Sequence, residues 1–154
     1  IMRLKNSGKI INISSIAGDN GLPFRSIYSA SKAAINRFSE SLRLELINTN
    51  IHCTVLSPGS IKTSIASNRL YAKVSKNSAY FSSYSNAVSD MNKHILKGVG
   101  PEKVSIKIEK LILEKKPKPH YKVGPMLEKM SSFIKFLLPQ KLYEKLLAYH
   151  YNLK

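Results

Sequence analysis

A single cysteine, Cys53, stands among 154 residues, so no internal disulfide is possible and a compartment that keeps thiols reduced fits the chain. Cys53 lies in the apolar run Ile51-His52-Cys53-Thr54-Val55-Leu56 and reads as a small buried hydrophobe rather than a reactive thiol. The four histidines, His52, His94, His120 and His150, are scattered without metal-ligand spacing, and no cysteine cluster accompanies them; no metal site is expected. Long apolar runs are also lacking. Phe133-Ile134 and Phe136-Leu137-Leu138 are too short, and too broken by lysine, to span a bilayer. The first residues show no charged segment followed by a long apolar stretch, so no signal peptide is read there.

Acidic residues are scarce. Nine Asp and Glu stand against twenty-five Lys and Arg, a net charge of +16 that raises nucleic acid or an anionic membrane as partners. The excess is diffuse: residues 1–100 carry 13 basic and 4 acidic groups, and residues 101–154 carry 12 and 5. Arginine is rare, five against twenty lysines, and the arginine and aromatic interleaving that reads or stacks bases is missing. General lysine richness accounts for the charge, and no nucleic-acid partner is expected.

What remains is an ordinary globular composition, 43% apolar and 22% charged, of a length that builds one core and one domain. Ile1 to Gly8 reads as a helix end closed by a glycine cap, and Lys9 to Ser14 as a buried strand. The turn-rich residues 18–23 follow, then a helical pattern from Ser26 to about Asn48 and a second buried strand from Ile51 to Leu56. Strand, helix, strand with a crossover of this length implies a right-handed βαβ unit in a parallel sheet. Pro101 to Lys116 reads as a helix with Pro101 at its first position, and Lys118 to Val123 as a short strand ending at Gly124. From Met126 onward, Leu127, Met130, Phe133, Ile134, Leu137 and Leu138 recur at helical spacing. That stripe is read as packing onto the domain or capping a lipophilic pocket, with peripheral membrane attachment as the other reading.

Chemistry concentrates near the start. Tyr28 and Lys32 are four residues apart in a helical pattern and so share a face, where an ammonium lowers the pKa of a phenol by stabilising its phenolate. Tyr28 then serves as general acid and base, and Ser15, at the end of the first strand, offers a hydroxyl to hold and polarise a substrate oxygen. The pair alone is expected about once by chance in a chain this rich in Tyr and Lys. Its setting carries the specificity: Gly8-Lys9-Ile10-Ile11-Asn12-Ile13-Ser14-Ser15-Ile16-Ala17-Gly18, then Tyr28-Ser29-Ala30-Ser31-Lys32-Ala33-Ala34, then Leu56-Ser57-Pro58-Gly59-Ser60-Ile61-Lys62-Thr63.

Together these three motifs resemble the short-chain dehydrogenase/reductase family, and match its second half. The resemblance implies an α/β fold, the C-terminal half of a doubly wound, Rossmann-like parallel sheet with C-terminal helices. Within residues 1–154 it implies a substrate lid at 60–98 and amphipathic helices at 125–154. It implies that Ser15 positions the substrate oxygen, Tyr28 exchanges its proton, and Lys32 holds the nicotinamide ribose of NAD or NADP. Pro58 and Gly59 would shape the turn beside the nicotinamide, whose carboxamide and neighbouring phosphate the backbone of Ile61 and the hydroxyl of Thr63 would contact. Lys116-Pro117-Lys118-Pro119-His120-Tyr121-Lys122-Val123-Gly124 and Leu138-Pro139 resemble the retinoid and hydroxysteroid dehydrogenase branch. The family's glycine-rich Thr-Gly-x-x-x-Gly-x-Gly loop and Asn-Asn-Ala-Gly segment are expected to precede Ile1.

The leading expectation is therefore a cytoplasmic NAD(P)-dependent oxidoreductase, homo-oligomeric when complete, acting on a small and lipophilic alcohol or carbonyl. Two other readings stand beside it: an inactive relic serving as an interaction module through the Ser26 to Asn48 helix, and a basic peripheral membrane binder acting through residues 126–154.

Overall fold

The computed structural model describes residues 1–153. Strand β1 (Gly8–Ile13) pairs in parallel with β2 (Ile51–Pro58), from Gly8 opposite Ile51 to Ile13 opposite Leu56. β2 pairs in parallel with β3 (His120–Val123), from Val55 opposite His120 to Pro58 opposite Val123, giving the order β1-β2-β3. Between β1 and β2 runs α2 (Ser26–Glu45), the crossover of the expected βαβ unit. A four-residue helix α1 (Met2–Lys5) leads into β1, and α3 (Phe81–Leu96) and α4 (Glu102–Leu113) lie between β2 and β3. After β3 come α5 (Met126–Leu137) and α6 (Gln140–His150).

Alternation along the strands divides the core. Cys53 packs with Leu46 and Ile51, and Ile10 and Leu42 close that cluster on the α2 side. Burial raises the Cys53 thiol pKa against the pull of Arg43, in keeping with an inert core residue. Lys9, next to Ile10 and pointing to the other face, reaches the Ile112 carbonyl, so α4 covers the opposite side. There Leu56 and Leu111 are fully buried.

The structure shifts several local boundaries. Asn6, not Gly8, closes the first helix: it is left-handed (φ 43°), and Ser7 N–H bonds back to Met2 while Gly8 already belongs to β1. α2 stops at Glu45, and Pro101 caps α4 instead of occupying its first turn. The larger correction concerns α5. Met126, Leu127, Met130, Phe133 and Leu137 of the apolar stripe are exposed among these residues, and only Ile134 and Leu138 are half-buried. The opposite face carries Glu128, Ser131, Ser132 and Lys135, which reach Ser60, Asn20, Lys122 and Asp19 at the carboxyl ends of the strands. Buried polar groups left without partners cost more than an apolar stripe left in water, so α5 turns its polar side inward. No helix among the described residues is long and apolar enough to cross a membrane.

Candidate active site at the carboxyl ends of the strands

At the end of β1, Ser14 stays in the sheet through its N–H to Leu56 (2.9 Å), and the chain then turns sharply. Ser15 is extended (φ −159°, ψ 158°), and its Oγ accepts the Ala17 N–H at 3.1 Å, capping a 3₁₀ turn over Ile16–Gly18. That turn sits directly on α2. Ser14 Oγ donates to the Lys32 carbonyl at 2.9 Å, and a Cβ placed on Gly18 would come within 2.9 Å of the Lys32 carbonyl carbon and oxygen. Lys32 Nζ in turn donates to the Ile13 carbonyl at 3.2 Å and stands 5.9 Å from the centre of the Tyr28 ring. The structure thus gathers the Ser15 turn, Lys32 and Tyr28 at one end of β1. Lys32 is half-buried, and Tyr28 is 45% exposed.

A second element reaches the same edge at the end of β2. Gly59 N–H donates to the Val123 carbonyl (2.8 Å), and Gly124, at φ +155°, faces Gly59 so closely that a Cβ would lie 3.2 Å from the Gly59 Cα. Ile61 bridges in parallel to Val99: Val99 N–H bonds to Ser60, and Lys62 N–H bonds to Val99. In that pattern the bonds flank Ile61, whose own N–H and C=O point away from Val99 and have no hydrogen-bond partner among the described residues. Thr63 is exposed, and its Oγ1 accepts the Ile65 N–H at 3.4 Å.

Gly59 does permit a close approach, but the group that makes it here is a carboxylate. Glu128 Oε2 accepts the Ser60 N–H at 2.7 Å and would lie 2.2 Å from a Cβ on Gly59. Sequence reasoning missed Glu128. Its signal was a lone acidic residue in a lysine-rich stretch, in the first turn of a helix that opens after Gly124-Pro125, where the helix terminus favours negative charge.

Behind the turn lies a polar interior. Asp19 pairs with Lys122 at 2.6 Å and accepts from Asn36 Nδ2 at 3.2 Å, while its carbonyl receives Lys135 Nζ at 2.8 Å. Asn20 donates to Ser131 Oγ (2.9 Å) and accepts the Tyr143 hydroxyl (2.8 Å), whose pKa burial pushes up. Ser57 Oγ and His120 Nε2 are 2.7 Å apart, and burial lowers the imidazole pKa, with Asp19 opposing. Ser57 is fully buried, so this serine–histidine pair ties β2 to β3 and presents no nucleophile to solvent. Just before α2, Phe24 meets Tyr84 edge-on at 5.5 Å and Tyr80 at 6.4 Å, and the Tyr84 hydroxyl accepts the Ala72 N–H at 3.2 Å. The segment between β2 and α3 is thereby joined to the loop four residues before Tyr28.

The model of the family described as short chain dehydrogenase matches residues 1–73, which contain all three motifs. A 3-ketodihydrosphingosine reductase of Bacteroides thetaiotaomicron is 33% identical over 154 residues, covering 99% of this chain and 57% of that protein. The closed form of serine dehydrogenase complexed with NADP+ is similar at a TM-score of 0.60 and 25% identity, over 80% of this chain and 46% of that one. A short-chain dehydrogenase from Streptomyces avermitilis shares the fold at a TM-score of 0.67 and 24% identity, over 97% of this chain and 52% of that one. The chain spans about half the length of the relatives it matches.

Proposed function

The chain belongs to the short-chain dehydrogenase/reductase family, and on that footing we propose that it is the catalytic half of an NAD- or NADP-dependent oxidoreductase acting on an alcohol or carbonyl. The supporting observation is the seating of the Ser15 turn on α2 at Lys32, one helical turn from the Tyr28 phenol. In the reductive direction Tyr28 Oη gives its proton to the substrate oxygen, and in the oxidative direction it takes one back. Ser15 Oγ already accepts the Ala17 N–H, which orients the hydroxyl and leaves its own hydrogen free to donate to the same substrate oxygen. Lys32, whose ammonium stands 5.9 Å from the centre of the Tyr28 ring, is the residue that would hold the nicotinamide ribose.

When bound, the nicotinamide supplies or accepts the hydride. This chain's part in holding it falls to the turn after β2. The unpartnered N–H and C=O of Ile61 offer one donor and one acceptor, the complement of a carboxamide, and the Thr63 hydroxyl stands two residues on. Pro58 and Gly59 shape that turn, and Glu128, by holding the Ser60 amide, aims the peptide that follows. Residues 60–98 serve as the substrate lid and 125–154 as the C-terminal helices. The phosphate-cradling turn of such a fold belongs to a dinucleotide half outside these residues. A lipophilic substrate is supported by the aromatic group Phe24, Tyr80 and Tyr84, and by the reductase of a sphingoid ketone to which the chain is similar. Self-association is supported by the outer face of α2, where Ile27, Phe38 and Leu44 are exposed. The lone, buried thiol suits the cytoplasm.

The test is to assay the protein that carries this chain together with a dinucleotide-binding half, supplying NADH or NADPH and ketones of increasing chain length. One cofactor should be oxidised in step with carbonyl consumed, more efficiently for the longer ketones. Absence of turnover with every carbonyl and alcohol offered would overturn this reading and leave the interaction-module and membrane-binder ones.

Glu128 gives a separable expectation. Glu128→Ala should raise KM for the dinucleotide about tenfold with a smaller effect on kcat, since a charge-assisted bond to the Ser60 amide is lost. Glu128→Gln, which keeps an acceptor oxygen, should recover most of that loss. Steady-state kinetics showing one KM for all three proteins would remove Glu128 from this role.

A further inference from the structure

Helix α5 is amphipathic in the inverted sense. Its inward residues Glu128, Ser131, Ser132 and Lys135 are all tied to the strand ends by hydrogen bonds. Its outward residues Met126, Leu127, Met130, Phe133, Phe136 and Leu137 are uncharged and exposed, Phe136 by 85%. Single exposed apolar residues are ordinary on a protein surface, whereas a whole helix face of them marks a surface made to be covered. Helix α6 continues the feature: Leu142, Leu146 and Tyr149 are exposed at i, i+4 and i+7, with Lys141 and Lys145 beside them.

We propose that α5 and α6 dock in the interface of a bilayer containing anionic lipid. Charge selects this occupant. On this surface Lys129, Lys141 and Lys145 outnumber Glu144, and the local excess of positive charge draws it to acidic headgroups. Lys129 is the one polar side chain on the outward side of α5, and Met, Phe and Leu fit fluid acyl chains without a defined counter-surface. Lys129, Lys141 and Lys145 flank the apolar residues, and their long stems let the ammonium groups stay at headgroup level. Twelve residues of helix are too short to span a bilayer, so α5 lies in its plane with the apolar face immersed. Because the same helix places Glu128 on the Ser60 amide, docking would hold the candidate site at the membrane surface. The docking itself does not depend on the oxidoreductase reading.

The experiment is flotation of the full-length protein with phosphatidylcholine vesicles, with and without about one-third phosphatidylserine. Two variants accompany it, Phe133→Ser with Phe136→Ser, and Lys141→Glu with Lys145→Glu; their side chains are exposed, and circular dichroism checks that both remain folded. The wild-type protein should float with the anionic vesicles, the phenylalanine variant should bind about tenfold or more weakly, and the lysine variant should lose the preference for phosphatidylserine. No flotation by the wild type, equal binding to neutral vesicles, or undiminished binding by the phenylalanine variant each overturns the proposal. So does a phenylalanine variant that turns from dimer to monomer with unchanged flotation, which would assign the face to a second copy.

Discussion

Tyr28→Phe should lower turnover by about a thousandfold while leaving thermal unfolding unchanged. The substitution removes one oxygen from a ring that is 45% exposed, and the Tyr28 hydroxyl makes no hydrogen bond to any described residue. Folding therefore loses nothing that the oxygen supplied, and the whole effect should fall on proton transfer. Cofactor affinity should also hold, because the Lys32 ammonium remains in place on the Ile13 carbonyl. Lys32→Ala is a different case: it removes both the charge beside the phenol and that strand-end bond, so activity and cofactor binding should fall together. The comparison is made by kcat, dinucleotide titration and melting temperature on the protein bearing its dinucleotide half. Near-normal turnover by the Tyr28→Phe protein would falsify the assignment of Tyr28 as acid and base.

Gly18→Ala should damage stability and catalysis at once. The added Cβ would stand 2.9 Å from the carbonyl carbon and oxygen of Lys32, which are backbone atoms of a helix and cannot swing aside. Either the Ser15 turn or α2 must shift, and the Ser14–Lys32 bond that seats one on the other stretches with it. Overpacking of this kind costs about 1–3 kcal/mol. A displacement of the order of an ångström between a positioning hydroxyl and a proton donor costs about a hundredfold in rate. Gly21 supplies the control, since a Cβ there would meet nothing within 4 Å. Gly21→Ala should be nearly silent in melting temperature and in kcat; if the two variants behave alike, the seating of the turn on α2 is not what holds the site.

Local physics was legible from the residues alone. The runs from Lys9 to Ser14 and from Ile51 to Leu56 are apolar and β-branched enough to require strands, which the structure sets at Gly8–Ile13 and Ile51–Pro58, and the length of chain between them required a crossover helix and a parallel sheet. The same reasoning put Tyr28 and Lys32 on one helix face and Ser15 at a strand end, because 3.6 residues per turn and the end of an apolar run are properties of a segment by itself. It also marked Pro58-Gly59 as a tight turn, since Pro fixes one backbone angle and Gly admits a close neighbour.

Which neighbour comes close was not legible. Glu128 lies 68 residues beyond Ser60 in the chain, and a carboxylate over Gly59 follows only from where α5 lands. The pairing of Ser57 with His120, 63 residues apart, and the meeting of Phe24 with Tyr80 and Tyr84 are of the same kind. The helix end at Asn6 was misread as Gly8 because both residue types tolerate the left-handed conformation, and the strand register of Gly8 opposite Ile51 decided between them. Most instructive is α5. Its spacing from Met126 to Leu137 required an apolar face, and residue pattern alone then pointed that face inward. The strand ends, however, carry amides, carbonyls, Asp19, Asn20 and Lys122 that must be bonded once buried, and only the assembled sheet shows how many there are. The sequence by itself therefore determined the segments, their order and the chemistry each carries. The tertiary structure decided which face of α5 turns inward and what lies against the turn after β2, because unmet polar groups are counted over the whole fold and not along one helix.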